Sequence, residues 1–150
     1  MQVTMPFFLS GAAMIMFSSH AYAACNNSET LFSCTTTNNK LIELCDAKKT
    51  INYTFGKVGK KPELRVAAVR DKVTTWQWHG VGRYMSYSVT VPNGDYKYRV
   101  FWGVDRLSPK AEEEAGVDVE KNGKLLATVK CKADTITQHL EGVELRSDDD

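Results

Sequence analysis

From Leu31 onward, apolar and polar residues alternate with a period of two, and turn-forming residues interrupt the alternation every eight to twelve positions. Side chains two apart share one face of a strand, so this patterning predicts an all-β chain. The candidate strands are 31–36, 40–46, 50–55, 63–69, 74–78, 83–91, 96–104, 116–120 and 125–132. No helix of ordinary length is expected, although 110–115 has the composition for one helical turn. Patterning weakens after Ala133, and Ser147-Asp148-Asp149-Asp150 is expected to be a frayed acidic end.

Three turns organise these runs. Asn93-Gly94 predicts a two-residue hairpin loop. It would pair Val91 with Tyr96, Val89 with Tyr98, Tyr87 with Val100 and Met85 with Trp102. One face of that hairpin is then apolar throughout, and the other carries Ser86, Ser88, Thr90, Lys97, Arg99 and Phe101. A slip by one residue would exchange the two faces, so the register is expected to be well determined. Asn122-Gly123 repeats the signal, pairing Val119 with Leu126 and leaving Leu125, Ala127 and Val129 on the other side. Thr37-Asn38-Asn39-Lys40 is the third turn. Consecutive hairpins predict a single antiparallel meander forming a small barrel or sandwich, which hides its edges.

The N-terminal segment changes the picture. Residues 7–17 form a short apolar run, followed by Ser18-Ser19-His20 and Ala21-Tyr22-Ala23. This reads as a cleaved signal peptide spanning 1–23, cut after residue 23 or 24, and it is too short to span a bilayer. The remainder, 24–150, has the size of one exported domain, periplasmic or secreted, with no transmembrane segment. Cleavage after Ala24 would expose Cys25 for lipid anchoring, but Tyr22-Ala23-Ala24 lacks the Leu-like residue expected three positions back. All four cysteines, Cys25, Cys34, Cys45 and Cys131, follow the cleavage site, and an even count in a small exported chain predicts two disulfides. No Cys-x-x-Cys pair or suitably spaced histidine suggests a metal, and no cofactor is implied. Four cysteines allow three connectivities.

Charge and candidate chemistry narrow the function. The formal net charge of +1 argues against nucleic acid as the main partner. His79 is the one histidine in the patterned body, and no nucleophile–base arrangement accompanies it. Glu112-Glu113-Glu114 reads as a solvated charge run, with Asp118 and Glu120 as outward residues of a half-buried strand. Trp76 and Trp78 would share a strand face, either in the core or as a stacking platform for a sugar or base. The hydroxyls, cations and ring on the outer hairpin face make it the better recognition candidate. The basic loop 57–61, with Arg65, is a second candidate.

Several pieces resemble the bacterial periplasmic and membrane-bound inhibitors of c-type lysozyme. They are Phe32-Ser33-Cys34, Gly80-Val81-Gly82-Arg83-Tyr84, Phe101-Trp102, Asn122-Gly123 and Cys131. The resemblance implies a small exported antiparallel β barrel that inserts a polar, cationic edge into an acidic cleft. The family has serine at the position of Gly80 and lysine at that of Val104, so Arg83 or Arg106 would have to supply the cation. Among the three disulfide connectivities, one containing Cys34–Cys131 is expected, tying the first strand to the last.

The sequence therefore predicts a non-enzymatic exported protein that binds another protein, with inhibition of a cell-wall lytic enzyme such as a lysozyme as its leading specific role. Its expected contact residues are Arg83, Tyr84, Ser86, Ser88, Lys97, Arg99 and Phe101. An immunity protein against a secreted toxin and a structural envelope protein are the alternatives, and a small hydrolase is a further one.

Overall fold

The computed structural model describes residues 25–149, and the signal-peptide reading of 1–23 lies outside them. Eleven strands form two sheets. The first sheet contains β1 (Glu29–Thr35), β2 (Lys40–Asp46), β3 (Thr50–Lys57), β4 (Leu64–Val69) and β10 (Thr137–Gln138), in the order β10-β1-β2-β3-β4. The second contains β5 (Thr74–Gln77), β6 (Tyr84–Asn93), β7 (Tyr96–Asp105), β8 (Glu113–Lys121), β9 (Lys124–Lys130) and β11 (Arg146–Ser147), in the order β11-β5-β6-β7-β8-β9. Two meanders pack face to face as a sandwich, in place of one continuous meander. All pairings are antiparallel except that of β11 with β5.

Alternation along the strands builds the core. Phe32, Ile42, Leu44, Ile51 and Tyr53 from the first sheet meet Val89, Val91, Val100 and Val117 from the second, all essentially inaccessible to solvent. The Tyr53 and Tyr98 rings stack across the gap with centroids 5.0 Å apart. Burial raises the pKa of the Tyr53 phenol, with Tyr98 adding to the effect. Backbone pairing joins the two sheets along one seam, where Thr36 pairs with Cys131, and among the described residues the sandwich does not close into a barrel. Beside that seam Cys34–Cys131 joins the first strand to the segment after β9, and Cys25–Cys45 pins the start of the described chain to β2. The Cys25 sulfur is thereby committed to Cys45, which removes it from thioether lipidation.

The β6–β7 hairpin differs from the expected register by two residues. Its loop is Gly94-Asp95, so Val91 faces Tyr98, Val89 faces Val100 and Tyr87 faces Trp102. A loop at Asn93-Gly94 would make Pro92 the closing residue, and proline has no N–H for the closing hydrogen bond. Moving the loop forward closes the hairpin with Asn93 and Tyr96, which both donate. Gly94 alone of the two loop residues has a positive φ, 58°, suited to the first position of a type II′ turn. A shift of two preserves both faces. Asn122-Gly123 does occupy its loop, with both φ values positive. A bulge between Val119 and Glu120 then shifts the ladder, so that Val129 faces Val117 while Leu125 and Leu126 are left about half exposed.

Two further expectations fail. Residues 110–115 form no helical turn, because Glu113, Glu114 and Ala115 pair with Val104, Gly103 and Trp102. The acidic end is not frayed across its described part. β11 pairs with β5, the Asp148 N–H donates to the Thr75 carbonyl, and the Thr74 hydroxyl donates to Asp148. Ahead of it, fully buried Leu140 and the two polar ends of Gln77 hold the tail against the core.

Candidate functional site

The sheet register splits the seven expected contact residues. On the outer face of the second sheet, Trp76, Ser88, Phe101 and Gly116 form one row across β5–β8, beside a row of Thr90, Arg99, Asp118 and Thr128 that extends into β9. Side chains in the middle of this face are small or missing, whereas Trp76, Tyr84 and Phe101 are large. The result is a hollow of about 400 Å³ whose lining includes Trp76, Tyr84, Ser86, Ser88, Arg99 and Phe101. Five of the seven expected residues therefore converge on one concavity. Arg83 and Lys97 do not line it. Lys97 lies farther along the face, opposite Pro92 and Glu120.

Ser88 departs from the solvated position expected of it. Only 3 % of it is exposed, because it lies between Trp76 and Phe101, and its hydroxyl has no hydrogen-bond partner among the described residues. Asp118, read as an outward strand residue, is also buried. One of its oxygens accepts from Arg99 Nη2 at 2.6 Å and the other from the Thr128 hydroxyl at 2.6 Å. Arg99 remains exposed, as expected, but its charge is balanced within the face. The Tyr84 ring lies over Gly103, where a Cβ would meet it at 2.5–2.7 Å, and its hydroxyl donates to Glu114 at 3.2 Å. Burial raises the Tyr84 pKa, with the Glu114 carboxylate adding to the shift.

Arg83 lies at the adjoining edge of the sandwich, where the loop after β5 meets the loop after β7. Its Nε and Nη2 donate to the two oxygens of Asp105, at 2.9 and 2.6 Å. Those hydrogen bonds raise the Arg83 pKa and lower that of Asp105. The Arg106 N–H donates to the Arg83 carbonyl at 2.9 Å, joining the two loops. Trp78 braces them: its indole N–H donates to the Val81 carbonyl at 2.9 Å, and the Arg106 guanidinium stands 4.7 Å from the ring centroid. Val81 and Leu107 project from this base, 82 % and 71 % exposed. Sequence reading did not single out this pair, since isolated aliphatic residues in loops carry no periodic signal.

Trp76 and Trp78 have separate roles. Trp76 lines the hollow and meets the His79 ring edge-on at 5.2 Å, whereas Trp78 packs partly against the core. The basic loop 57–61 and Arg65 border a second hollow, of about 600 Å³, on the outer face of the first sheet. Burial raises the pKa of Glu43 within that hollow, and Arg65 partly offsets the effect. Among the described residues no group of three or more His, Cys, Asp or Glu is placed to hold a metal ion, and no helix is long and apolar enough to cross a membrane. No known protein family, curated protein or solved structure matches the chain.

Proposed function

We propose that the protein is an exported, non-enzymatic binding protein that recognises another protein, and that its specific role is to inhibit a cell-wall lytic enzyme. The observation that supports this reading is the braced edge bearing Val81 and Leu107. Two exposed aliphatic tips stand on a base fixed by the Arg83–Asp105 pair, the Arg106 N–H bond and the Trp78 clamp. Arginine and tryptophan, here Arg106 and Trp78, are enriched in interface hot spots, Val81 and Leu107 add apolar surface beside them, and a preorganised base reduces the entropy lost on docking. Two disulfides suit an oxidising compartment and hence an exported protein. Since Asp105 already balances Arg83, the cation offered to an acidic cleft is Arg106, which makes no ion pair among the described residues.

The test is inhibition of c-type, g-type and i-type lysozymes by the oxidised protein lacking residues 1–23, at micromolar concentration. At least one should lose activity. Leu107→Asp or Arg106→Ala should weaken that inhibition by about 2 kcal/mol or more, the hot-spot range. Full activity of all three enzymes overturns the inhibitor role. Capture from envelope extracts that is identical for the wild type and a Val81→Asp/Leu107→Asp double variant overturns protein recognition at this edge.

A further inference from the structure

The hollow on the outer face of the second sheet has a chemistry that protein docking at the neighbouring edge does not use. We propose that it is a binding site for a neutral, hydroxyl-rich saccharide unit. Its walls are aromatic: Trp76 on one side, Phe101 and Tyr84 on the other. Such rings present flat, weakly hydrated faces to the C–H face of a pyranose. In its floor is the Ser88 hydroxyl, 3 % exposed and without a partner among the described residues. A buried hydroxyl left unpaired carries an uncompensated desolvation cost, which a ligand hydroxyl reaching the floor would offset.

Along one side run Arg99, Asp118 and Thr128, already joined by two 2.6 Å hydrogen bonds. Arg99 keeps N–H groups free of Asp118, and a carboxylate can accept more than two hydrogen bonds. Fixed donors and acceptors side by side suit adjacent sugar hydroxyls, which both donate and accept. The volume, about 400 Å³, falls within the range of small-ligand sites, roughly 300–1,000 Å³.

Charge excludes the alternatives. Arg99 and Asp118 offset one another, and Glu114 is engaged by Tyr84 and Lys130, so neither an anion nor a cation finds an uncompensated counter-charge. Stacking of a nucleic-acid base would bring phosphates, which call for unpaired cations along the groove. A wholly apolar ligand would leave the Ser88 hydroxyl sealed and unpaired.

The experiment titrates the oxidised protein with maltose, cellobiose, lactose and N,N′-diacetylchitobiose, following tryptophan fluorescence and backbone amide NMR shifts. At least one disaccharide should give a saturable change with a dissociation constant of about 1 mM or below, with shifts centred on Trp76, Ser88 and Phe101. Trp76→Ala should weaken it at least tenfold. Ser88→Ala, which removes a hydroxyl and leaves no new group unpaired, should weaken it severalfold at unchanged thermal stability, so the test survives if the tryptophan variant misfolds. Leu107→Asp, at the docking edge, should leave sugar affinity unchanged, which separates this site from the protein-binding reading. No saturable change with any of the four sugars at about 10 mM overturns the proposal. So does a change that persists at full strength in both Trp76→Ala and Ser88→Ala.

Discussion

Both oxygens of the Asp46 carboxylate lie 2.8 Å from one nitrogen, Nη1 of Arg70, while Nη2 of the same arginine donates to the carbonyl of Glu144 at 3.0 Å. One side chain thus binds the end of β2, the turn after β4 and the C-terminal tail. Burial works to raise the Asp46 pKa, but the hydrogen bonds from Arg70 and from the Lys48 N–H outweigh it, and the net shift is downward from the ordinary 3.8. A carboxylate with a lowered folded pKa contributes stability that is fully present above its unfolded pKa and lost as pH falls through the folded value. Asp46→Asn should therefore cost about 1–3 kcal/mol at neutral pH, the worth of hydrogen bonds to a charged group. The deficit should shrink below about pH 4. Urea unfolding of both proteins across that range decides it, and a pH-independent difference would refute the role given to the pair.

Cys34 and Cys131 are separated by 97 residues and have Cα atoms 5.8 Å apart. Closing so long a loop stabilises the fold by about 4–5 kcal/mol in the chain-entropy model. The Cys34→Ala/Cys131→Ala double variant should lose most of that, whereas Cys25→Ala/Cys45→Ala, closing only 20 residues, should lose less. Thiol labelling of denatured, unreduced wild-type protein should find no free cysteine. More than trace labelling contradicts both bridges.

Periodicity placed eight strands that bury one face, and the Asn122-Gly123 turn placed β9, which is exposed except at Val129, because hairpins force neighbours to pair. The exact register of the longest hairpin was not legible from Asn93-Gly94 alone, since the missing N–H of Pro92 overrides the dipeptide's preference. Its inner face was still read correctly, because the displacement was by two residues. The two-residue strands β10 and β11 left no pattern, as their pairing is backbone hydrogen bonding to strands far away in sequence. Five contact candidates shared a face and so came together. What alternation could not reveal was the burial of Ser88, an outer-face residue enclosed by the rings of Trp76 and Phe101. The braced edge bearing Val81 and Leu107 was hidden for another reason: its geometry rests on Trp78 bridging two loops, a contact that no local spacing encodes.

Tyr87 and Ser88 are adjacent and both buried, yet they should respond oppositely to truncation. The Tyr87 ring stacks on Trp102 at 6.0 Å inside the sandwich. Burial raises its pKa, with a further contribution from Glu141. Tyr87→Ala should cost about 3–5 kcal/mol as a large-to-small core change. Ser88→Ala should be neutral or slightly stabilising, because it removes a sealed hydroxyl that nothing satisfies. Chemical denaturation of the two variants checks this, and a loss above about 1 kcal/mol at Ser88 would mean that its hydroxyl has a partner.

Gly116 and Gly103 both lie on the outer face of the second sheet, but they face different neighbours. A Cβ on Gly116 would run into the backbone carbonyl of Val129, on the adjacent edge strand, which cannot move without disturbing the β8–β9 ladder. A Cβ on Gly103 would instead meet the outer end of the Tyr84 ring, on a residue 44 % exposed and free to rotate away. Gly116→Ala should therefore destabilise by about 1–3 kcal/mol, the usual range for overpacking. Gly103→Ala should cost less, about 1 kcal/mol or below, because the atoms it displaces are the end of a side chain and not backbone. Its effect should fall on Tyr84, which would lose its hydrogen bond to Glu114 and part of its raised pKa. Spectrophotometric titration of the phenols would register that as one tyrosine ionising at lower pH. Equal destabilisation by the two alanines, with the tyrosine titration unchanged, would show that Tyr84 is held over Gly103 as firmly as the sheet itself.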